Sequence, residues 1–190
     1  MAVERIDYLA GETACTGALV YDDSIGGPRP LLLMSPNWLG VSDDSINRAG
    51  IIAGSKYVVF VADMYGGGKI PAGPPEAGPL ANALRADALE RRQRIAAALD
   101  ALRRESAKRK IGDLKRQAAV GFCFGGGNVL ELARTGADLQ AIICLHGDLL
   151  TYVLRYEVAD PNAVAHTMKV SAIYMSAATV ANMRNAHGPH

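Results

Sequence analysis

One short stretch constrains the fold of this chain more than any other. Ala118 to Phe122 is an apolar run that ends at Cys123, and Gly125, Gly126 and Gly127 follow at once, opening a helical pattern that reaches Arg134. An apolar run of that length reads as a strand covered on both faces. A strand that turns directly into a helix strains the residue between them and pushes its side chain clear of the backbone. The residues two before and two after then nearly touch, and only glycine fits there. Gly121-Phe122-Cys123-Phe124-Gly125 has glycine at both places. The spacing G-x-C-x-G thus predicts that Cys123 stands exposed at the tip of the turn, where a nucleophile sits in this arrangement. A helix beginning at Phe124 aims free N–H groups at the same point, which favours a thiolate and any oxyanion formed beside it.

The same residues have two other readings. A cysteine in apolar surroundings is often a small core residue, which is the reading given to Cys15 and Cys144. A glycine run after a strand can also cradle phosphate, but the chain contains neither G-x-G-x-x-G nor a Gly-Lys followed by Ser or Thr.

The flanking sequence supplies a setting for the turn. Glu4 to Val20 reads as two strands around a turn at Gly11, closed by the polar stretch Asp22 to Pro30. Leu31 to Met34 and Tyr57 to Ala62 read as further buried strands, with a helix between them that begins at Ser42-Asp43-Asp44 and carries Ile46, Ala49, Ile52 and Ala53. Tyr65 to Pro79 is dense in Gly and Pro and reads as a long loop without regular structure. Leu84, Ala88, Ile95, Leu99 and Leu102 recur at helical spacing and predict one helix from Ala81 to about Lys110. Ala141 to Leu145 and Val170 to Met175 are the last two strands. Strands alternating with helices imply right-handed βαβ units and a parallel sheet, an α/β fold. A chain of 190 residues makes one such domain, 1–190.

Charge and composition narrow the partners. The net charge of +1 gives no field for nucleic acid or an anionic membrane. The basic residues of the long helix, among them Arg91, Arg92, Arg94, Arg103, Arg104 and Arg109, alternate with Glu90, Asp100 and Glu105, and read as a solvated outer face. No apolar stretch reaches 18 residues and no signal-like segment opens the chain. Three scattered cysteines form no disulfide framework and suit a reducing cytosol. The four histidines supply no zinc spacing, so no metal and no cofactor is expected.

Gly121-Phe122-Cys123-Phe124-Gly125-Gly126 resembles the nucleophile turn of the dienelactone hydrolase family, the carboxymethylenebutenolidase-like α/β hydrolases. Other segments fall in that family's order: Ser35-Pro36-Asn37-Trp38-Leu39-Gly40 at its oxyanion loop, Val61-Ala62-Asp63-Met64-Tyr65-Gly66 at its "aPDlYg" segment, and Leu145-His146-Gly147 after the turn helix. The resemblance covers roughly residues 1 to 175 and implies an α/β-hydrolase three-layer sandwich with a mostly parallel central sheet. It also implies attack by the Cys123 thiolate on a small ester or lactone, an oxyanion held by the N–H groups of Phe124 and Trp38, and hydrolysis of the acyl-enzyme by water activated by a histidine.

Three departures accompany the resemblance. Asn37 stands at the family's glutamate, and Thr179 at the aspartate that orients the histidine. Asn185-Ala186-His187-Gly188 resembles the histidine segment but arrives without the last strand and helix. Three arrangements follow: a shortened member without a working triad, one that recruits His187, or one completed by a second chain. His146, with Asp148, is the other His/carboxylate pair near the turn and reads as structural. Beside the hydrolase stands a second reading, a catalytically impaired relative that binds or interacts through the same pocket. The uncovered strand at Val170–Met175 points to a homodimer or to poor solubility, unless Met168 to Met183 docks as a helix instead.

Overall fold

The computed structural model describes residues 1–147 and the backbone of a strand at Ser171–Met175. The chain opens with β1 (Ala2–Ala10) and β2 (Thr13–Tyr21), an antiparallel hairpin turning at Gly11, whose φ is 61°. β3 (Arg29–Ser35), α1 (Asp43–Ala53) and β4 (Val58–Val61) follow. After them come α2 (Pro74–Ala86), α3 (Ala88–Arg109), β5 (Gly112–Phe122), α4 (Phe124–Arg134), β6 (Ala141–Leu145) and β7 (Ser171–Met175). The strands form one sheet in the order β1-β2-β4-β3-β5-β6-β7. All neighbours from β4 to β7 are parallel, and the hairpin joins antiparallel through β2 and β4.

Alternation along β3 explains the two layers that cover the sheet. Leu31 and Leu33 face a core shared with α2, α3 and α4, including Ile95, Leu99, Leu102, Val129 and Leu132. Leu32 and Met34 face the opposite core, built with Val59, Val61 and the α1 residues Ala49 and Ala53. This is the α/β-hydrolase architecture expected from the sequence, with β7 at one edge among the described residues.

Three expectations are corrected. The loop expected over Tyr65–Pro79 is shorter, because α2 begins at Pro74. Proline is tolerated in a first turn, where the missing N–H has no intrahelical acceptor, and burial of Ala77, Ala81 and Leu84 offsets the internal Pro79. The single helix from Ala81 to Lys110 is two, broken at Asp87, whose carboxylate caps α3 by accepting the Glu90 N–H at 2.9 Å. The basic face of that helix is not wholly solvated. Arg91 is fully buried and Arg94 lies under the loop after β4, donating to the Met64 carbonyl at 2.7 Å. Among the described residues, no helix is long and apolar enough to cross a membrane.

Candidate active site

The turn between β5 and α4 has the predicted shape. Cys123 adopts φ 53° and ψ −118°, a strained conformation for a residue with a side chain, costing on the order of 1–3 kcal/mol. Its own N–H is anchored on the Leu145 carbonyl of β6 at 3.0 Å, and its carbonyl accepts from Gly126 at 2.9 Å. The glycine spacing has a direct cause. A Cβ on Gly121 would collide with the Gly125 carbonyl, and one on Gly125 with the carbonyls of Ser35 and Pro36. Gly126 packs against Gly147, where an added Cβ would come within 2.6 Å of the Gly147 Cα. Cys123 is half-exposed, whereas Cys15 and Cys144 are buried, and all three are free thiols. Burial pushes the Cys15 thiol up to about 11, with the nearby Asp63 carboxylate adding to it, and burial also raises Cys144.

Phe124 is the first residue of α4, so its N–H has no acceptor within the helix and faces the turn. Trp38 lies across from it, in the turn that leaves β3. There the Leu39 N–H donates to Asn37 Oδ1 at 2.9 Å and the Gly40 N–H to the Asn37 carbonyl at 3.1 Å. The structure thus brings Cys123, Phe124 and the Trp38 turn together through the tight contact of Gly125 with Ser35 and Pro36. His187, Thr179 and Asp148 lie outside the described residues. His146 directly follows β6 with φ 42°, beside the backbone that anchors Cys123.

Several residues of this region were not singled out from the sequence. Asp63 is buried at the end of β4, and its carboxylate accepts four backbone N–H groups, from Thr16, Tyr65, Gly66 and Gly68, at 2.8–2.9 Å. Those bonds fold the loop through three consecutive glycines at positive φ and set Tyr65 over the site. Tyr65 stacks on Phe124, with centroids 5.9 Å apart and planes at 13°. Beneath the turn runs a buried polar chain: Arg91 Nε donates to Asn128 Oδ1 at 2.9 Å, and Asn128 Nδ2 to Ser35 Oγ at 3.1 Å. Arg91 and Arg85 both place guanidinium groups near the Phe124 ring, at 5.7 and 5.5 Å. The sequence signal for Tyr65 was its place in the Asp63-Met64-Tyr65-Gly66 segment. Arg91 gave none, since in sequence it looks like the other arginines of the same run. Among the described residues, no cluster of His, Cys, Asp and Glu has the makings of a metal site.

With this geometry in hand, the chain can be set beside known proteins. The family model described as "Dienelactone hydrolase family" matches residues 16–186. Among solved structures, m3DLH is 31% identical over 92% of this chain and 68% of its own, with a TM-score of 0.78. A dienelactone hydrolase-like promiscuous phosphotriesterase, P91, from metagenomic libraries is 29% identical over 93% of this chain and 82% of its own, at 0.72. An acylaminoacyl peptidase of Pyrococcus horikoshii, 14% identical, covers 77% of this chain and 23% of its own at 0.57, a likeness of fold alone. No curated protein matches.

Proposed function

The chain belongs to the dienelactone hydrolase family and is a hydrolase, and we propose that it cleaves small carboxylic esters or lactones with Cys123 as nucleophile. The observation that carries this reading is the strained backbone of Cys123 at the mouth of α4, with φ 53°. A residue held there at such a cost has its side chain fixed outward, and the helix N-terminus favours negative charge beside it.

The Cys123 thiolate attacks the carbonyl carbon. A C–S bond forms and the π pair moves onto oxygen, where the N–H groups of Phe124 and Trp38 receive it. Collapse of that oxyanion breaks the C–O bond, and the leaving alkoxide takes a proton from the imidazolium. In a lactone it stays tethered to the acyl group. Water, deprotonated by the same imidazole, then attacks the thioester and releases the acid and the thiolate. We assign the imidazole to His187. No cofactor enters the scheme. We take residues 1–190 as one domain, acting in the cytosol on small molecules, with self-association along the β7 edge.

Intact-mass measurement after incubation with p-nitrophenyl acetate tests the assignment. The expected result is a gain of one acetyl group, lost in Cys123→Ala. An adduct that persists in Cys123→Ala, or none in the wild type, removes the proposal. Because P91 is a phosphotriesterase, an activated phosphotriester run alongside decides the substrate class: faster turnover of the triester moves it away from carboxylic esters.

A further inference from the structure

We infer that Tyr65 is a positioning residue that holds the two oxyanion donors at a fixed separation. The inference rests on the reading of Phe124 and Trp38 as those donors.

The peptide unit between Trp38 and Leu39 is held at both ends. Its carbonyl accepts the Tyr65 O–H at 2.7 Å, and its N–H donates to Asn37 Oδ1 at 2.9 Å. The preceding unit is held by its carbonyl, which accepts from Gly40. Of the four polar groups in these two units, the Trp38 N–H alone has no hydrogen-bond partner among the described residues. It is the group left to meet a ligand.

The same side chain reaches the other donor. The Tyr65 ring lies flat on Phe124 and touches Gly40, where an added Cβ would stand 3.5 Å from the ring. Tyr65 is itself anchored, since its N–H donates to Asp63 Oδ1 while Asp63 Oδ2 accepts from Thr16 on β2. A line of contacts therefore runs from the sheet through Asp63 and Tyr65 to both sides of the oxyanion position. Burial pushes the Tyr65 hydroxyl up to about 12 against the opposing charge of Arg85, with a smaller upward effect of Cys123, so it remains a donor across the pH range of ester assays.

Oxyanion donors act only within a narrow distance of the developing charge, and a misplacement of about 1 Å costs on the order of a hundredfold. Tyr65→Phe keeps the ring and its stacking but frees the Trp38 carbonyl. Two reactions of Cys123 then separate a positioning role from a structural one. Acylation by p-nitrophenyl acetate forms an oxyanion, and alkylation by iodoacetamide does not.

In Tyr65→Phe the acylation burst is expected to slow about ten- to hundredfold with KM little changed, while alkylation of Cys123 stays within about twofold. Continued protection of Cys15 and Cys144 from label verifies folding. Asn37→Ala, which loosens the same peptide unit from its N–H end, is expected to show the same split and serves if Tyr65→Phe does not fold. A normal burst in folded Tyr65→Phe overturns the clamp alone. Acylation and alkylation falling together also overturns it, because Tyr65 would then support the turn and not the donors. No burst in the wild type, with Cys123 still alkylated, overturns the ester-hydrolase reading and the clamp with it.

Discussion

The two arms of the candidate site are built by different physics. The Cys123–Phe124 arm is held by backbone sterics, through glycines whose every added atom would strike a carbonyl or a Cα. The Asn37–Gly40 arm is held by side-chain hydrogen bonds from Asn37 and from Tyr65, the latter 27 residues away in sequence. Steric exclusion is all-or-none, and it leaves a fixed spacing of glycines in the sequence. Hydrogen bonds contribute about 1 kcal/mol each and leave no local pattern. The first arm therefore resists small changes and fails completely, and the second yields by degrees.

The largest expected effect comes from attacking the steric arm where it meets the other. Gly125→Val places a Cβ into the Ser35 and Pro36 carbonyls, which neither β3 nor its following turn can move without losing pairing to β5. We expect a loss of about 3–5 kcal/mol in unfolding free energy, the size of a core disruption. Urea denaturation reads it. A loss below about 1 kcal/mol would show that the turn relaxes, and the contrast between the two arms would collapse.

This difference also explains what the sequence disclosed. The strand, the turn and α4 were legible because Gly121 and Gly125 flank Cys123 at the required spacing, and the apolar runs on both sides marked β5 and β6. The hairpin and α1 were legible from Gly11 and from Ser42, local signals for local structure. Arg91 was not, because its burial depends on Asn128 and Phe124, both on a different helix. Nor was the start of α2 at Pro74, since the prolines that suggest a loop also suit a first helical turn. Asp63 could be noticed only as part of a resemblance. Its four backbone partners come from two separate segments, and a lone aspartate after a strand has many uses.

A second prediction probes the foundation of the hydrogen-bonded arm. Cys15 sits on β2 beneath Asp63, and its thiol is raised from 9.0 to about 11, chiefly by burial and then by the Asp63 carboxylate. Below pH 9 the thiol is neutral whether the chain is folded or unfolded, and stability is unaffected. Between pH 9 and about 11 the unfolded chain ionises while the folded one does not, so stability falls. The full loss from this one group is on the order of 2–3 kcal/mol. Cys15→Ala lowers stability at neutral pH through the cavity it leaves, but it should flatten the decline between pH 9 and 11 relative to wild type. Denaturant midpoints measured across that range decide it. Parallel curves for the two proteins would mean that Cys15 ionises freely and that the ground under Asp63 is wet.

The smallest effect is the sharpest test of the contrast. Ser45 is buried in the first turn of α1, and its hydroxyl donates to the Gly40 carbonyl at 2.9 Å, a further hold on the arm. Ser45→Ala removes one buried hydrogen bond and leaves the buried Gly40 carbonyl without it, so the cost in stability is on the order of 1–2 kcal/mol. A steric arm would absorb so small a change without consequence for chemistry. An arm held by a few hydrogen bonds would not, because Ser45 fixes Gly40, whose N–H in turn holds the Asn37 carbonyl of the peptide unit that carries the Trp38 N–H. Ser45→Ala should therefore slow acylation several-fold while leaving alkylation of Cys123 unchanged. Ser42→Ala, which loses the 3.4 Å cap to the Ser45 N–H and a 3.3 Å bond to the Ser45 hydroxyl but leaves the Ser45 bond to Gly40 in place, should cost stability with no such slowing. If the two serines behave alike in the acylation burst, the hold on Gly40 is immaterial, and the arm is positioned by its packing against Gly125 and not by its hydrogen bonds.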